Sequence, residues 1–139
     1  MAQYIRFLVG GQQWLVGIEE LHRIIKKLPI VAVPNSPDGM IGVINLRDEI
    51  IPVLDSANLL KVASGEWNKL LIVKHNEHLV ALTTEDVLDI VVINEKMKPS
   101  PVSGNLIRGI LTRENDALPV VDVIQLANSI RGENYCLDF

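Results

Sequence analysis

The stretch GVINLRDEIIPVLD, residues 42–55, places a polar cluster between two apolar runs. An arginine beside an apolar side chain and near carboxylates is typical of a protein interface, because a guanidinium pairs with carboxylates through two hydrogen bonds and stacks at low desolvation cost. A solvated turn charge would explain the same arginine, so both interpretations stay open on this physics alone. The cluster consists of Asn45, Leu46, Arg47, Asp48 and Glu49.

Elsewhere in the chain, few groups of residues have the types and spacing that catalysis requires. Adjacent carboxylates occur at Glu19 with Glu20 and at Glu85 with Asp86, but sequence neighbours on a helix or turn point apart, and such acidic pairs are commonly solvated. The serine-containing turns show no nucleophile elbow, and no glycine-rich phosphate loop is present. We therefore expect no enzymatic activity, and keep an enzyme only as a lower-weight alternative.

Metal and cofactor binding are not predicted either. His75 and His78 flank an expected two-residue turn, and no third histidine, cysteine or acidic cluster accompanies them. A hairpin surface explains both histidines better than a metal site does. We expect neither a metal nor a cofactor.

The overall composition indicates one folded domain. The chain has 139 residues, of which 48% are hydrophobic and 22% charged, and its formal net charge is −4. Such a chain buries about two thirds of its unfolded surface, and its acidity provides no basic field for nucleic acid. Glycines and glutamines interrupt the N-terminal apolar run, so we expect no signal peptide, no direct membrane insertion and a cytoplasmic location. The lone Cys136 agrees with that location and is expected to be an inert thiol.

Short apolar segments separated by turn residues predict a mostly β protein. Hairpin turns are expected at 10–12, at 76–77 and at 115–116. Two short helices are expected after Asp55 and Asp122, whose carboxylates can cap helix N-termini. The segment IEELHRIIKKL, 18–28, is the best further helix candidate, since apolar residues recur at i, i+3 and i+4. Either a helix of one to three turns or a bent strand fits it.

An internal repeat emerges when the sequence is compared with itself. The segment FLVGGQQWLVGI is similar to LIVKHNEHLVAL 64 positions later, and six further positions recur at a common offset of 67. The two halves are therefore expected to be similar β units in tandem. The recurring positions are Pro34, Gly42, Pro52, Val53, Asp55 and Leu59, matched by Pro101, Gly109, Pro119, Val120, Asp122 and Leu126.

A unit of about five short strands is too small to form a β-sandwich by itself, but it can form a small, partly open barrel. We predict an all-β fold with short helices, in which two similar five-stranded β-barrels pack side by side within a single domain over 1–139. The units cover roughly 1–66 and 67–139, with exchange of strands between them left open. A single β-sandwich with two similar hairpins is the alternative.

The stretch 42–55 closely resembles the signature of CheW-like domains, in which Gly-Val-Ile-Asn-Leu-Arg-Gly precedes an apolar-Pro-Val-apolar-Asp strand. The hairpin FLVGGQQWLVGI, the approach IVAVPNSPDGMIG and the second-half segments DVLDIVVI and GILTRENDALPVVDVIQLA extend this resemblance over nearly the whole chain. The resemblance implies the family's fold of two similar small β-barrels.

The resemblance also implies an adaptor without catalysis, which couples the cytoplasmic tips of chemoreceptors to the regulatory domain of a CheA-type histidine kinase in chemotaxis. Partner contacts are then expected at the signature and, further, at the stretch after the first hairpin. A scaffold of a pilus-motility or other chemosensory pathway, and a stand-alone small-ligand or peptide module, remain alternatives. The expected contact residues are Asn45, Leu46, Arg47, Asp48, Glu49, Leu21, Ile24 and Val33.

One position departs from the signature. Asp48 stands where the family usually has glycine, and a glycine there commonly serves a positive φ angle. We therefore expect either a reshaped turn or a salt bridge between Asp48 and Arg47.

Overall fold

The computed structural model describes residues 2–100 and 106–129. Within these ranges the chain forms ten strands, two short α-helices and one 3₁₀ turn. The strands are β1 Ala2–Val9, β2 Gln12–Gly17, β3 Leu21–Lys26, β4 Met40–Leu46, β5 Glu49–Leu54, β6 Lys69–His75, β7 His78–Thr84, β8 Asp86–Ile93, β9 Ile107–Arg113 and β10 Asp116–Val121. The helices are α1 Ser56–Leu60 and α2 Val123–Ser129, and the 3₁₀ turn is Ile18–Glu20.

The strands form two five-stranded sheets of equivalent topology. The first sheet has the order β8-β1-β2-β10-β9 and the second the order β3-β6-β7-β5-β4. Neighbouring strands are antiparallel except for β2 with β10 and β5 with β7, which are parallel. Exchanging β1–β5 with β6–β10 in order converts one sheet into the other. The prediction of two similar five-stranded units is therefore confirmed.

Both halves of the sequence contribute strands to both sheets. The β1–β2 hairpin joins β8, β9 and β10 of the second half, whereas the β6–β7 hairpin joins β3, β4 and β5 of the first. Neither sheet can be completed by strands from one half alone, so the formation of each sheet requires contacts that are distant in sequence.

Within the described residues, the buried apolar side chains form three clusters. One lies within the first sheet and includes Leu111, and another lies within the second sheet and includes Ile44. The largest cluster contains residues from both sheets, among them Phe7 and Leu71, together with Ala57 of α1. A single sandwich would have one core between its two sheets. Here each sheet has a core of its own, and the two sheets share the third cluster. The alternative of a single β-sandwich is therefore wrong.

The two predicted short helices are confirmed. The Asp55 carboxylate accepts a hydrogen bond from the Asn58 amide at 3.3 Å, at the N-terminus of α1. The Asp122 carboxylate accepts one from the Gln125 amide at 3.1 Å, at the start of α2. Both aspartates thus provide the N-cap interaction that the sequence predicts.

The segment 18–28 is a bent strand rather than a longer helix. After the 3₁₀ turn, β3 pairs with β6 so that Ile24 lies opposite Leu71 and Ile25 opposite Leu70, and the register shifts between Leu21 and Arg23. Pairing with β6, in which residues 70–73 are buried, supplies the backbone hydrogen bonds that a helix would otherwise provide. This tertiary contact overrides the helical spacing of the apolar residues.

The expected hairpins are present. The turn after β6 lies at 76–77, as predicted, and the turn after β1 lies at 10–11 within the predicted 10–12, because Gln12 already pairs with Val9 in β2. The third turn lies at Glu114–Asn115, one residue earlier than predicted, because Asp116 already pairs with Arg113 across the strands. The difference moves Asp116 from the turn into β10.

Gly42 allows two segments of the chain to approach closely. Val31 forms an isolated antiparallel bridge to Val43, with N–O distances of 2.9 Å in both directions. A Cβ atom at Gly42 would overlap the Val31 carbonyl oxygen. The repeat counterpart Gly109 has an equivalent neighbour, since a Cβ there would lie 2.7 Å from the Lys98 carbonyl oxygen. These two recurring glycines therefore have a steric role in both units.

Candidate protein-interaction site

The polar cluster lies at the tip of the hairpin formed by β4 and β5. Its strands are anchored by Ile44 and Ile51, which lie opposite each other and belong to the core of the second sheet. Arg47 and Asp48 form the two-residue turn between the strands. The apolar runs thus fix the hairpin on the sheet, and the polar residues occupy the end that extends beyond the core.

Both turn residues adopt the left-handed backbone conformation. The φ angles are 51° for Arg47 and 69° for Asp48, as in the two-residue type I′ turns that suit the twist of a hairpin. Aspartate tolerates this region better than most residues, because its short side chain can bond locally. Asp48 therefore has the positive φ angle that a glycine commonly serves. Within 2–100 and 106–129, no salt bridge joins Arg47 to Asp48, so the salt-bridge alternative is not observed.

The equivalent hairpin of the second half has the same turn with different side chains. Glu114 and Asn115, 67 positions after Arg47 and Asp48, have φ angles of 51° and 71°. Since the same backbone forms with an acidic residue in place of the arginine, the turn does not require Arg47. The guanidinium is therefore available for a contact outside the fold.

Four of the five cluster residues are exposed to solvent, namely Asn45, Arg47, Asp48 and Glu49. Leu46 differs from them, because its side chain is half-buried and packs against the core of the second sheet. The exposed members combine one cation, two anions and one amide. Such a group can form charge-assisted hydrogen bonds with a partner surface.

The other three predicted contact residues are distributed differently. Ile24 is 40% exposed on β3, which is at the opposite end of the strand order from β4. Leu21 and Val33 are half-buried and pack against the core shared by the two sheets. The strand order does not bring β3 beside the hairpin tip, and of these three residues only Ile24 is exposed.

Two exposed apolar residues beside the hairpin were missed by the sequence interpretation. Ile50 lies opposite Asn45 on the adjacent strand and is 38% exposed, and Val31, bridged to Val43, is 65% exposed. Cross-strand partners project from the same face of a sheet, so both residues lie on the face that carries Asn45. We name this surface, formed by Val31, Asn45, Arg47 and Ile50, the hairpin face. The consecutive isoleucines 50 and 51 do not signal it by themselves, because adjacent strand residues such as Val43 and Ile44 are both buried here, each in a different core.

The acidic pairs noted in the sequence are largely engaged in the fold. The Glu85 carboxylate accepts hydrogen bonds from the amides of Gly10 and Gly11, at 2.8 and 3.0 Å, and thereby fixes the β1–β2 turn. Asp86 forms an ion pair of 2.8 Å with Lys69. The hydrogen bond from Lys69 is the main reason why the pKa of Asp86 is lowered. These carboxylates therefore have structural roles.

Glu20 is the clearest exception to the expected solvated pair. Its Oε2 accepts a hydrogen bond from Nη2 of Arg108 at 3.0 Å, and its side chain is only 15% exposed. Burial raises the pKa of Glu20, outweighing the opposing attraction of Arg108, and the nearby Glu19 and Asp122 charges add to the increase. The expectation of a solvated carboxylate is wrong for Glu20.

Two histidines bear on metal binding, and the helices of the described ranges bear on membrane insertion. His75 and His78 lie opposite each other beside the β6–β7 turn, and no group of three or more histidine, cysteine or acidic residues in these ranges is arranged for a metal ion. No helix in 2–100 and 106–129 is sufficiently long and apolar to span a membrane. Cys136 lies outside the described residues.

Comparison with known proteins provides independent information on this fold and site. The family model described as "CheW-like domain" matches residues 3–131, which include the hairpin face. A "Probable chemotaxis protein CheW" from Rhizobium etli is 27% identical over 140 residues, covering 94% of this chain and 90% of that protein. A "Chemotaxis protein CheW" from Rhizobium meliloti is 29% identical over 130 residues, covering 87% and 84% of the two chains.

A solved structure supports the architecture. The crystal structure of the scaffolding protein TtCheW from Thermoanaerobacter tengcongensis is similar, with a TM-score of 0.80 and 22% sequence identity. The similarity covers 88% of this chain and 84% of that chain. At this level of identity it supports the shared fold.

Proposed function

Because the chain belongs to the CheW-like domain family, we propose that it is a non-enzymatic adaptor that couples chemoreceptors to a CheA-type histidine kinase in the cytoplasm. The observation that carries the proposal is the family match across residues 3–131, which spans both sheets and the complete signature hairpin. The names of the two rhizobial relatives, which refer to chemotaxis, support the same pathway. A pilus-motility or other chemosensory pathway would use the same adaptor chemistry with different partners.

The hairpin face is the contact surface that the geometry favours. Arg47 is exposed, is not required by its turn and forms no ion pair within the described ranges. Ile50 and Val31 offer apolar area on the adjoining surface. Arginine with neighbouring apolar area is the combination found at the energetic centres of interfaces. We therefore assign one partner contact to this face.

The two-sheet body would hold receptor and kinase in a fixed relative geometry. The shared core contains Phe7 and Leu71, both fully buried, and the exchanged hairpins make each sheet depend on both halves of the chain. A body built in this way transmits the position of one bound partner to the other. Each contact can be weak on its own, because linked and arrayed binding raises the effective concentration.

A stand-alone module for a small ligand is the other candidate. Two clefts lined by described residues each hold about 10 Å³, room for about one water molecule, so neither of these two would take a drug-sized ligand. Thermal shift measurements with metabolites would test this alternative directly.

The decisive experiment measures binding of the purified chain to two probes from the same cell by calorimetry. The probes are the regulatory domain of the CheA-type kinase and a chemoreceptor cytoplasmic tip fragment. Arg47→Glu is expected to weaken binding to at least one probe by roughly 5- to 150-fold, as for a hot-spot arginine. The matched control is Arg113→Glu, which makes the same charge change beside the turn of the second hairpin.

The possible outcomes test the adaptor function and the assignment of the hairpin face separately. No binding of the folded wild-type chain to either probe would contradict the adaptor function. If binding occurs but Arg47→Glu and Arg113→Glu weaken it equally, the effect is one of net charge, and the assignment of the hairpin face is wrong. Circular dichroism on each variant establishes that it is folded.

A further inference from the structure

Strand β8 carries a row of exposed apolar side chains at the edge of the first sheet. Leu88, Ile90 and Val92 are 38%, 55% and 46% exposed. They alternate with Val91 and Ile93, which are buried in the core of the first sheet. The row is therefore the outward side of a strand whose other side is already used by the fold. We name these three residues the β8 stripe.

The outer edge of β8 is also unpaired in the described part of the chain. β8 lies first in the strand order and pairs with β1, and the backbone bonds among 2–100 and 106–129 join no further segment to its outer edge. The register shifts near Leu88, so the regular part of the strand is 89–93. An unpaired apolar edge strand is a template for pairing with another strand.

The corresponding edge of the second sheet is protected in the usual way. Strand β3, which occupies the equivalent position in the strand order, carries His22, Arg23 and Lys26 in addition to Ile24. Charged residues on an edge strand disfavour pairing with a second copy of the same strand. The two edges therefore differ in their capacity for self-association, although their topology is the same.

The acidic residues beside the β8 stripe are neutralised within the same chain. Arg6 makes two hydrogen bonds to the Asp89 carboxylate, at 2.8 and 2.7 Å. Lys69 forms the ion pair with Asp86 at 2.8 Å. Although the chain has a net charge of −4, two like copies can therefore approach at this edge with little local repulsion.

From these observations we infer that the β8 stripe is a contact between two copies of this chain. Antiparallel pairing about a twofold axis at Val91 places Ile90 of each copy opposite Val92 of the other. The same register places Asp89 opposite Ile93, so no like charges oppose each other. Cross-strand pairs of β-branched residues on one face stabilise such a pairing.

The contact is expected to be weak. The stripe provides only three partly exposed side chains per copy. The area that they can bury is well below the roughly 1,200–2,000 Å² buried in a stable interface. Self-association is therefore expected at tens of micromolar or higher concentrations, where arrayed proteins encounter each other repeatedly. This inference goes beyond the adaptor function and requires neither kinase nor receptor.

Analytical ultracentrifugation of the full chain from about 5 µM to 1 mM tests the inference. The wild type is expected to shift from monomer to dimer, and Ile90→Lys is expected to weaken dimerisation at least tenfold. The matched control is Ile124→Lys, because Ile124 is a similarly exposed isoleucine, 41%, on α2. It should dimerise like the wild type.

A second measurement tests the register. In a Cys136→Ser background, a mixture of Ile90→Cys and Val92→Cys copies should oxidise preferentially to the mixed disulfide dimer. A wild type that stays monomeric throughout, an Ile90→Lys variant that dimerises normally, or a statistical mixture of disulfides would each overturn the proposed contact. A monomeric wild type whose kinase binding is lost on Ile90→Lys would assign the stripe to the kinase instead.

Discussion

Arg108 of β9 and Glu20 of the 3₁₀ turn connect the two sheets through a hydrogen bond of 3.0 Å between Nη2 and Oε2. Arg108 belongs to the first sheet, whereas Glu20 directly precedes β3 of the second. The second carboxylate oxygen, Oε1, is buried and has no hydrogen-bond partner among the described residues. The link between the sheets therefore includes a partly desolvated charge, and stability should respond to its removal and to pH.

The first prediction concerns the titration of Glu20. Its pKa is raised above the usual value of 4.5. At pH values between 4.5 and the raised pKa, the folded state therefore binds more protons than the unfolded state. This contribution to stability is complete below pH 4.5 and is lost as the pH rises through the folded pKa. The free energy of unfolding of Glu20→Gln relative to wild type should therefore increase as the pH rises from 4 to 7.

Urea denaturation at several pH values measures this difference. Glu19→Gln is the matched control, because Glu19 is the exposed neighbour in the same turn. Parallel pH profiles for wild type and Glu20→Gln would show that the carboxylate titrates normally in the folded chain.

The second prediction concerns the loss of the cationic partner. Arg108→Met removes the hydrogen bond and leaves the Glu20 charge without compensation, which should lower the free energy of unfolding at pH 7 by about 1–3 kcal/mol. The deficit should shrink at pH 4, because the raised pKa of Glu20 favours its neutral form there. Arg113→Met on the same strand serves as control, because Arg113 is exposed at the hairpin end. Equal losses for the two variants would exclude a specific role for the pair.

The third prediction concerns the turn at Arg47 and Asp48. Asp48 has a φ of 69°, a region in which glycine has no steric penalty. Asp48→Gly is therefore expected to increase the free energy of unfolding by about 0.5–1 kcal/mol, whereas Asp48→Ala should decrease it. Thermal unfolding of both variants measures the effect. If both substitutions shift stability in the same direction, the left-handed backbone is not the controlling factor.

The repeat is the part of the architecture that the sequence predicts best. Asp55 and Asp122 recur at the common offset, and each caps a short helix as expected. The hairpins are also local, so turn residues and apolar runs suffice to identify them. Their distribution between the sheets is different, because it depends on pairings such as Val53 with Ala81 that no local pattern encodes.

For the same reason, only part of the candidate site can be predicted from the sequence. Arg47 is marked by its signature, but the exposure of Val31 depends on its bridge to Val43, and the burial of Glu20 depends on Arg108 almost ninety residues away. The helical spacing in 18–28 likewise did not reveal pairing with β6. Long-range contacts decide each of these features, whereas residue type and spacing determine the hairpin tip.

The last prediction concerns the close approach at Gly42. Because a Cβ atom there would overlap the Val31 carbonyl oxygen, Gly42→Ala must displace backbone and is expected to cost about 1–3 kcal/mol of unfolding free energy. Breaking the bridge should accelerate amide hydrogen exchange at Val31 and Val43, whose amides donate across it at 2.9 Å. Gly109→Ala should cost less, because its closest contact would be the flexible Met97 side chain and the Lys98 carbonyl oxygen lies farther away, at 2.7 Å from the added Cβ. Unchanged exchange at both valines in Gly42→Ala would show that the segment bearing Val31 is not held by this crossing.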